Sequence, residues 1–140
     1  MAIKNLNPYL NFDGTAAKAL ELYQRALGAK VMQVSRFGEA KGMDVPPDAK
    51  DRVLHASIQL GEGYVMMSDT MPGMPAPAGN NVHVSLNCDD VADMEKRFEA
   101  LAAGGKVTMP LQDTFWGAKF GMLQDAFGIQ WMFNCELPKR

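Results

Sequence analysis

NPYLNFDGTAAKALELYQRALGAKV, residues 7–31, returns as HVSLNCDDVADMEKRFEALAAGGKV at residues 83–107, without a gap and at an offset of 76. Eight of the 25 positions are identical: Leu10/Leu86, Asn11/Asn87, Asp13/Asp89, Ala16/Ala92, Ala26/Ala102, Gly28/Gly104, Lys30/Lys106 and Val31/Val107. Each copy reads as a short alternating strand, an acidic turn, an amphipathic helix and a glycine stop before a second strand. A later match, Gly63 with Gly128 and Met67 with Met132 at an offset of 65, extends the repeat toward the C-terminal end of each copy. A duplication of this length decides the fold, and function is to be sought where the copies differ.

Outward from the repeat, residues 6–12 alternate, with Pro8, Leu10 and Phe12 on one face and Asn7, Tyr9 and Asn11 on the other. Asp13 or Thr15 can cap a helix over 15–27 that Gly28 ends. A strand over 30–37 follows, then a Gly/Pro/charge-rich loop at 38–50 and strands at 53–60 and 64–69 joined by the Gly61–Glu62–Gly63 turn. TMPGMPAPAGN, residues 70–80, holds three prolines and two glycines and reads as a linker. The second copy then predicts a strand at 81–87, a helix at 90–103 and strands at 106–112, 118–124 and 129–135. The order β-α-β-β-β therefore occurs twice. It predicts an α+β fold of two tandem βαβββ modules forming one curved mixed sheet. The 140 residues read as one domain, with module 1 at about 6–69, the linker at 70–80 and module 2 at about 81–136.

Composition narrows the class of partner. A net charge of −2 and a pI near 5.6 leave no basic footprint for nucleic acid. No lysine or arginine cluster suggests a membrane surface, and no apolar run approaches the ~18–20 residues that span a bilayer. The N-terminal residues carry no secretory pattern, and Cys88 and Cys135 fit neither a zinc knuckle nor a disulfide framework. Together these predict a cytoplasmic protein. Methionine is abundant, at 11 of 140 residues, and its flexible thioether suits irregular gaps and adaptable pockets alike.

The paired βαβββ module resembles the vicinal-oxygen-chelate superfamily of glyoxalases, bleomycin resistance proteins and dioxygenases, and within it the PhnB-like branch. The resemblance rests on NPYLNF (7–12), ALELYQRALGA (19–29), HASIQLG (55–61), VMMSDTMP (65–72) and FWGAKFGMLQDAFGIQWMF (115–133). It implies a small organic ligand, a homodimer and, in metal-using relatives, a divalent ion held by side chains from the first and fourth strand of each module. Carried over, those positions are Asn7, Met67, His83 and Met132, of which His83 alone is a good ligand for a hard ion. The usual metal site therefore reads as lost, with His83 as the remaining weak candidate and no cofactor expected.

Strand parity fills in the rest of the expected ligand wall. With Asn7, Met67, His83 and Met132 facing inward, so do Tyr9, Asn11, Asp69, Ser85 and Gln130. Leu10, Phe12, Tyr64, Met66, Trp131 and Phe133 fall on the opposite face, beneath the helices. His55 alternates with Ser57 and Gln59 and joins the pocket side, while Trp116 sits in a loop suited to a pocket rim or a dimer contact. The sequence thus predicts a small-molecule-binding protein. The alternative is a metal-dependent enzyme of glyoxalase or dioxygenase type in which His83, His55 and Asp69 carry metal or proton transfer.

Overall fold

The computed structural model describes residues 2–42 and 44–138. The chain divides into two compact units, Met1–Ala76 and Pro77–Arg140. The first contains β1 (Tyr9–Phe12), α1 (Ala16–Leu27), β2 (Lys30–Arg36), β3 (Val53–Leu60) and β4 (Gly63–Asp69), with two short 3-10 turns at Phe37–Glu39 and Pro47–Ala49. The second contains β5 (Val84–Cys88), α2 (Val91–Ala102), β6 (Lys106–Asp113), β7 (Ala118–Gln124) and β8 (Gln130–Glu136). The predicted βαβββ order is present twice. Hydrogen bonding forms two four-stranded sheets, ordered β1-β4-β3-β2 and β5-β8-β7-β6, rather than one sheet shared by both modules.

Both sheets are mixed for the same reason. The helix returns the chain to the far edge, so the fourth strand must slot in beside the first: β1 pairs with β4 in parallel and β5 with β8 in parallel, while the other pairs are antiparallel. In the first unit α1 buries Ala16, Ala19, Leu20, Leu22, Tyr23, Ala26 and Leu27. Gly28 ends that helix in the left-handed region at φ 67°, where its N–H reaches Gln24 O and the next N–H reaches Tyr23 O. The sheet offers this helix Leu10, Phe12, Ala56, Ile58, Val65 and Met67, all buried. In the second unit Met94, Phe98 and Leu101 of α2 are buried with Leu123, Trp131, Phe133 and Cys135 of β7 and β8, and the Phe98 and Phe133 rings meet edge to face at 5.2 Å.

The parity of β4 differs from the sequence expectation. Leu10 lies beside Met67 and Phe12 beside Asp69, so Met67 (0% exposed), Asp69 and Val65 share the helix-facing side. Tyr64, Met66 and Ser68 take the open side that the sequence assigned to Met67 and Asp69. The cause is the length of one hairpin loop. In the first unit Leu60 pairs with Gly63, and two residues make the turn. In the second, Asp125 N–H bonds Ile129 O across a three-residue loop whose last member, Gly128, has φ +90°. That is the arrangement in which a left-handed glycine ends a longer hairpin turn. Met132 therefore corresponds to Met66, beside Ser85 as Met66 is beside Tyr9, and an ungapped match across the turn misplaces every β4 side chain by one face.

In the second unit the faces fall as the sequence reads them. Val84, Leu86, Trp131 and Phe133 share one side, and Ser85, Asn87, Met132 and Asn134 the other. A second feature repeats at equivalent places: β2 bulges between Val31 and Gln33, and β6 between Val107 and Met109. Each copy inserts one extra residue, Met32 or Thr108, which bends the strand and re-aims the side chains near the sheet edge.

Candidate functional site

The open face of the first sheet is built from alternate positions of four strands. Cross-strand register places Tyr9, Met66 and Ser57 in one row, and Asn11, Ser68, His55 and Ser35 in the next. Tyr9 Oη and His55 Nδ1 share a hydrogen bond at 3.2 Å, with ring centroids 5.8 Å apart. The phenol reaches across the strand between them, so the imidazole is held at one nitrogen and presents its other nitrogen elsewhere. Such a pair can orient a polar ligand group or relay a proton. Asn7 lies just before β1, half-buried, with its Nδ2 donating to Asn5 Oδ1 at 3.2 Å.

Asp69 is engaged on the other side of this sheet. Its Oδ1 accepts the Ala16 N–H at 3.0 Å and its Oδ2 the Val53 N–H at 2.9 Å, in a position 4% exposed. Ala16 opens α1, so the carboxylate supplies a partner for one of the free N–H groups at a helix start and sits at the favourable end of the helix dipole. Val53 opens β3. One side chain thus ties together the beginnings of a helix and a strand that are distant in sequence.

The open face of the second sheet carries Ser85, Asn87, Met132, Asn134, Phe120, Met122, Gln124 and Gln130, set by the pairs Met122–Met132, Phe120–Asn134 and Gln124–Gln130. Trp116 packs edge to face on Phe120 at 5.7 Å, and the largely exposed Phe115 packs on Trp116 at 5.1 Å. Two open-face methionines and three aromatics therefore adjoin a row of hydroxyl and amide groups. An apolar surface with a few convergent polar groups is the general form of an organic-ligand site. His83 precedes β5 by one residue and is half-buried.

A hard divalent ion needs several oxygen or imidazole donors on one side of a sheet. The donors here do not fit it. Of the four carried-over positions, Met67 is sealed under α1 and Met132 offers a thioether. Asp69, the carboxylate of the alternative set, faces the helix with both oxygens occupied by backbone amides, whereas His55 is on the open face. Among the described residues no three His, Cys, Asp or Glu side chains gather in a group able to hold a metal.

Two features of the second unit were not foreseen from sequence. Asp125 is buried and organises the β7–β8 loop: its Oδ1 accepts the N–H of Phe127 (2.8 Å) and Ile129 (3.1 Å), and its Oδ2 accepts the Trp131 indole N–H at 2.9 Å. A side-chain acceptor bonding the amide two residues on is the usual signal of an aspartate-headed turn, and Asp125-Ala126-Phe127-Gly128 carries it in sequence. The second is a cavity of about 420 Å³ lined by Ala78, Gly79, Asn80, Lys106, Thr108, Gln124 and Gln130. It forms where residues 78–80 lie over the β7–β8 loop, close enough that a Cβ on Gly128 would stand 2.9 Å from Ala78 Cβ.

Paired βαβββ modules, each with one face of its sheet covered by its helix, define the fold class of this chain. Residues 5–133 match the model of the Glyoxalase/Bleomycin resistance protein/Dioxygenase superfamily, and the chain belongs to that superfamily. It is 36% identical to protein YjdN of Escherichia coli K12 over 141 aligned residues, covering 92% of this chain and 93% of that one. The structure matches that of protein PA1353 from Pseudomonas aeruginosa with a TM-score of 0.86 at 40% identity, over 97% of this chain and 100% of the other. It also shares its fold with a Bacillus cereus PhnB protein described as a putative 3-demethylubiquinone-9 3-methyltransferase, with a TM-score of 0.78 at 22% identity over 94% and 99% of the two chains. No helix among the described residues is long and apolar enough to cross a membrane.

Proposed function

We propose that this protein binds a small organic molecule against the open, helix-free face of its second sheet, and that holding the molecule does not depend on a divalent metal. The observation that carries this reading is the composition of that face. Phe120, Met122 and Met132 stand beside Ser85, Asn87 and Asn134, with Trp116 packed edge to face on Phe120. Thioethers adapt to irregular apolar shapes, aromatic rings supply large rigid contact areas, and the amides fix orientation. On the first sheet the Tyr9–His55 pair is the group best suited to act on or orient a bound polar group, with Asn11 in the adjoining row. We further propose a cytoplasmic homodimer, a state that light scattering on the purified chain would report.

The test is a thermal-shift screen of an organic fragment library on the native protein and on Met132→Lys. A ligand that binds only the folded state raises Tm by mass action. Hits that stabilise the native protein and lose their effect in Met132→Lys support the reading. Hits that stabilise both equally place binding elsewhere and overturn it.

A further inference from the structure

The 420 Å³ cavity in the second unit has chemistry that its repeat partner lacks. Lys30 and Lys106 are equivalent, as are Gln59 and Gln124, and each lysine pairs with its glutamine across the sheet. The two other lining positions on the strands differ. Thr108, the bulge residue, stands where the first copy has Met32, and Gln130 where it has Tyr64. Met32 and Tyr64 are exposed apolar side chains, and the Gln59 amide is turned away to Gly61 O at 3.1 Å. In the second copy the strand positions of the same corner are all polar, and exposed Ala78, Gly79 and Asn80 border it as an open groove.

Two observations point to an occupant. Gln130 is 7% exposed, lines the cavity, and its side chain makes no hydrogen bond to any described residue. No buried side-chain nitrogen or oxygen among the described residues lacks a partner, so the Gln130 amide reaches the cavity opening and is available to bond a guest there. Lys106 makes no ion pair among the described residues, and no carboxylate lines the cavity. The neighbouring Asp125 is fully engaged with Phe127, Ile129 and Trp131. The lining therefore offers one positive charge, three primary amides and one hydroxyl.

We propose that this cavity binds the carboxylate end of a small organic acid, with Lys106 supplying the charge and Gln124, Gln130 and Asn80 bonding the carboxylate and an adjacent polar group. This deepens the proposed function and rests on it, since it names the chemistry of a molecule held on the second sheet. A monoanion fits better than a phosphate: one ammonium faces the cavity, with no arginine to fork onto a dianion. Primary amides both donate and accept, which suits an acid that also carries an amide or hydroxyl.

The experiment is an amide-resonance NMR titration of the full chain with N-acetylglycine, its methyl ester and inorganic phosphate. N-acetylglycine is expected to shift Gly79, Lys106 and the Gln124 and Gln130 side-chain amides saturably, while the ester leaves them in place. Lys106→Gln is expected to weaken binding roughly tenfold, and Lys30→Gln, the equivalent lysine of the first copy, to leave it unchanged. Equal binding of the ester, tighter binding of phosphate, unaltered affinity in Lys106→Gln, or no saturable shift at all would each overturn the assignment. Shifts confined to Ser85, Asn87 and Asn134 would overturn it too, while leaving small-molecule binding on the second sheet intact.

Discussion

Asp125 Oδ2 accepts the indole N–H of Trp131 at 2.9 Å, and the same carboxylate holds two backbone amides of the loop between them. Trp131 is 0% exposed and Asp125 is 2% exposed, so this is a satisfied polar knot at the end of an apolar core. Replacing Asp125 with alanine strips three donors of their acceptor. We expect Asp125→Ala to lose about 3 kcal/mol or more of unfolding free energy, measured by urea denaturation. Trp131→Phe, which removes one donor and some volume, is expected to lose less.

The shift of β4 by one face makes adjacent methionines opposite in consequence. Met67 is sealed against α1, whereas Met66 is half-buried on the open face. Met67→Ala is expected to cost about 2–5 kcal/mol through lost contacts and a cavity, and Met66→Ala about 1 kcal/mol or less. Equal costs in denaturation curves would contradict the register.

Asp69 gives the same argument in polar form. Its two oxygens serve the first residues of α1 and β3, so Asp69→Asn turns one acceptor into a donor that faces an N–H. The variant is expected to lose about 1–3 kcal/mol of stability. A carboxylate whose role lay in a ligand site would leave the denaturation midpoint unmoved on this change.

Cys88 and Cys135 are neighbours across the parallel β5–β8 pair. Burial, chiefly, raises both thiols above their ordinary value, aided for Cys88 by Cys135 and Asp93 and for Cys135 by Asp89 and Asp90. A raised folded-state value means that the unfolded chain releases the proton first. The stabilisation is therefore complete below the ordinary thiol value of about 8.5 and is lost as pH rises through the folded-state values. Tm of the native protein is expected to fall across that alkaline range, and to fall less steeply in Cys88→Ser/Cys135→Ser. The half-buried Cys88 should react with a thiol reagent before the buried Cys135.

Much of the fold was legible because the repeat carries its own check. Two copies with a glycine just after the helix, Gly28 and Gly104, and the same strand start at Lys30 and Lys106 predict the element order and most of its boundaries, although α2 is capped by Ala103 rather than by its glycine. Register was legible only as far as the repeat ran without a gap. The extra residue in the Asp125–Ile129 loop is invisible to a match of Gly63 with Gly128, and that match therefore assigns Met67 and Asp69 to the wrong face. Side-chain parity was legible on the second sheet, where Ser85, Gln130 and Met132 lie on the expected face. The place of residues 78–80 was not, since it depends on packing against Gly128 and has no periodicity to announce it.

Trp116 and Trp131 are the chain's two tryptophans, one at the edge of the open face and one sealed in the core. Fluorine NMR of protein carrying 5-fluorotryptophan therefore gives the proposed ligand face its own signal and an internal reference. Titration with fragments that raise Tm is expected to move the Trp116 resonance saturably and leave that of Trp131 in place. Fragments that stabilise the protein while the Trp116 resonance stays still would contradict binding on the open face of the second sheet.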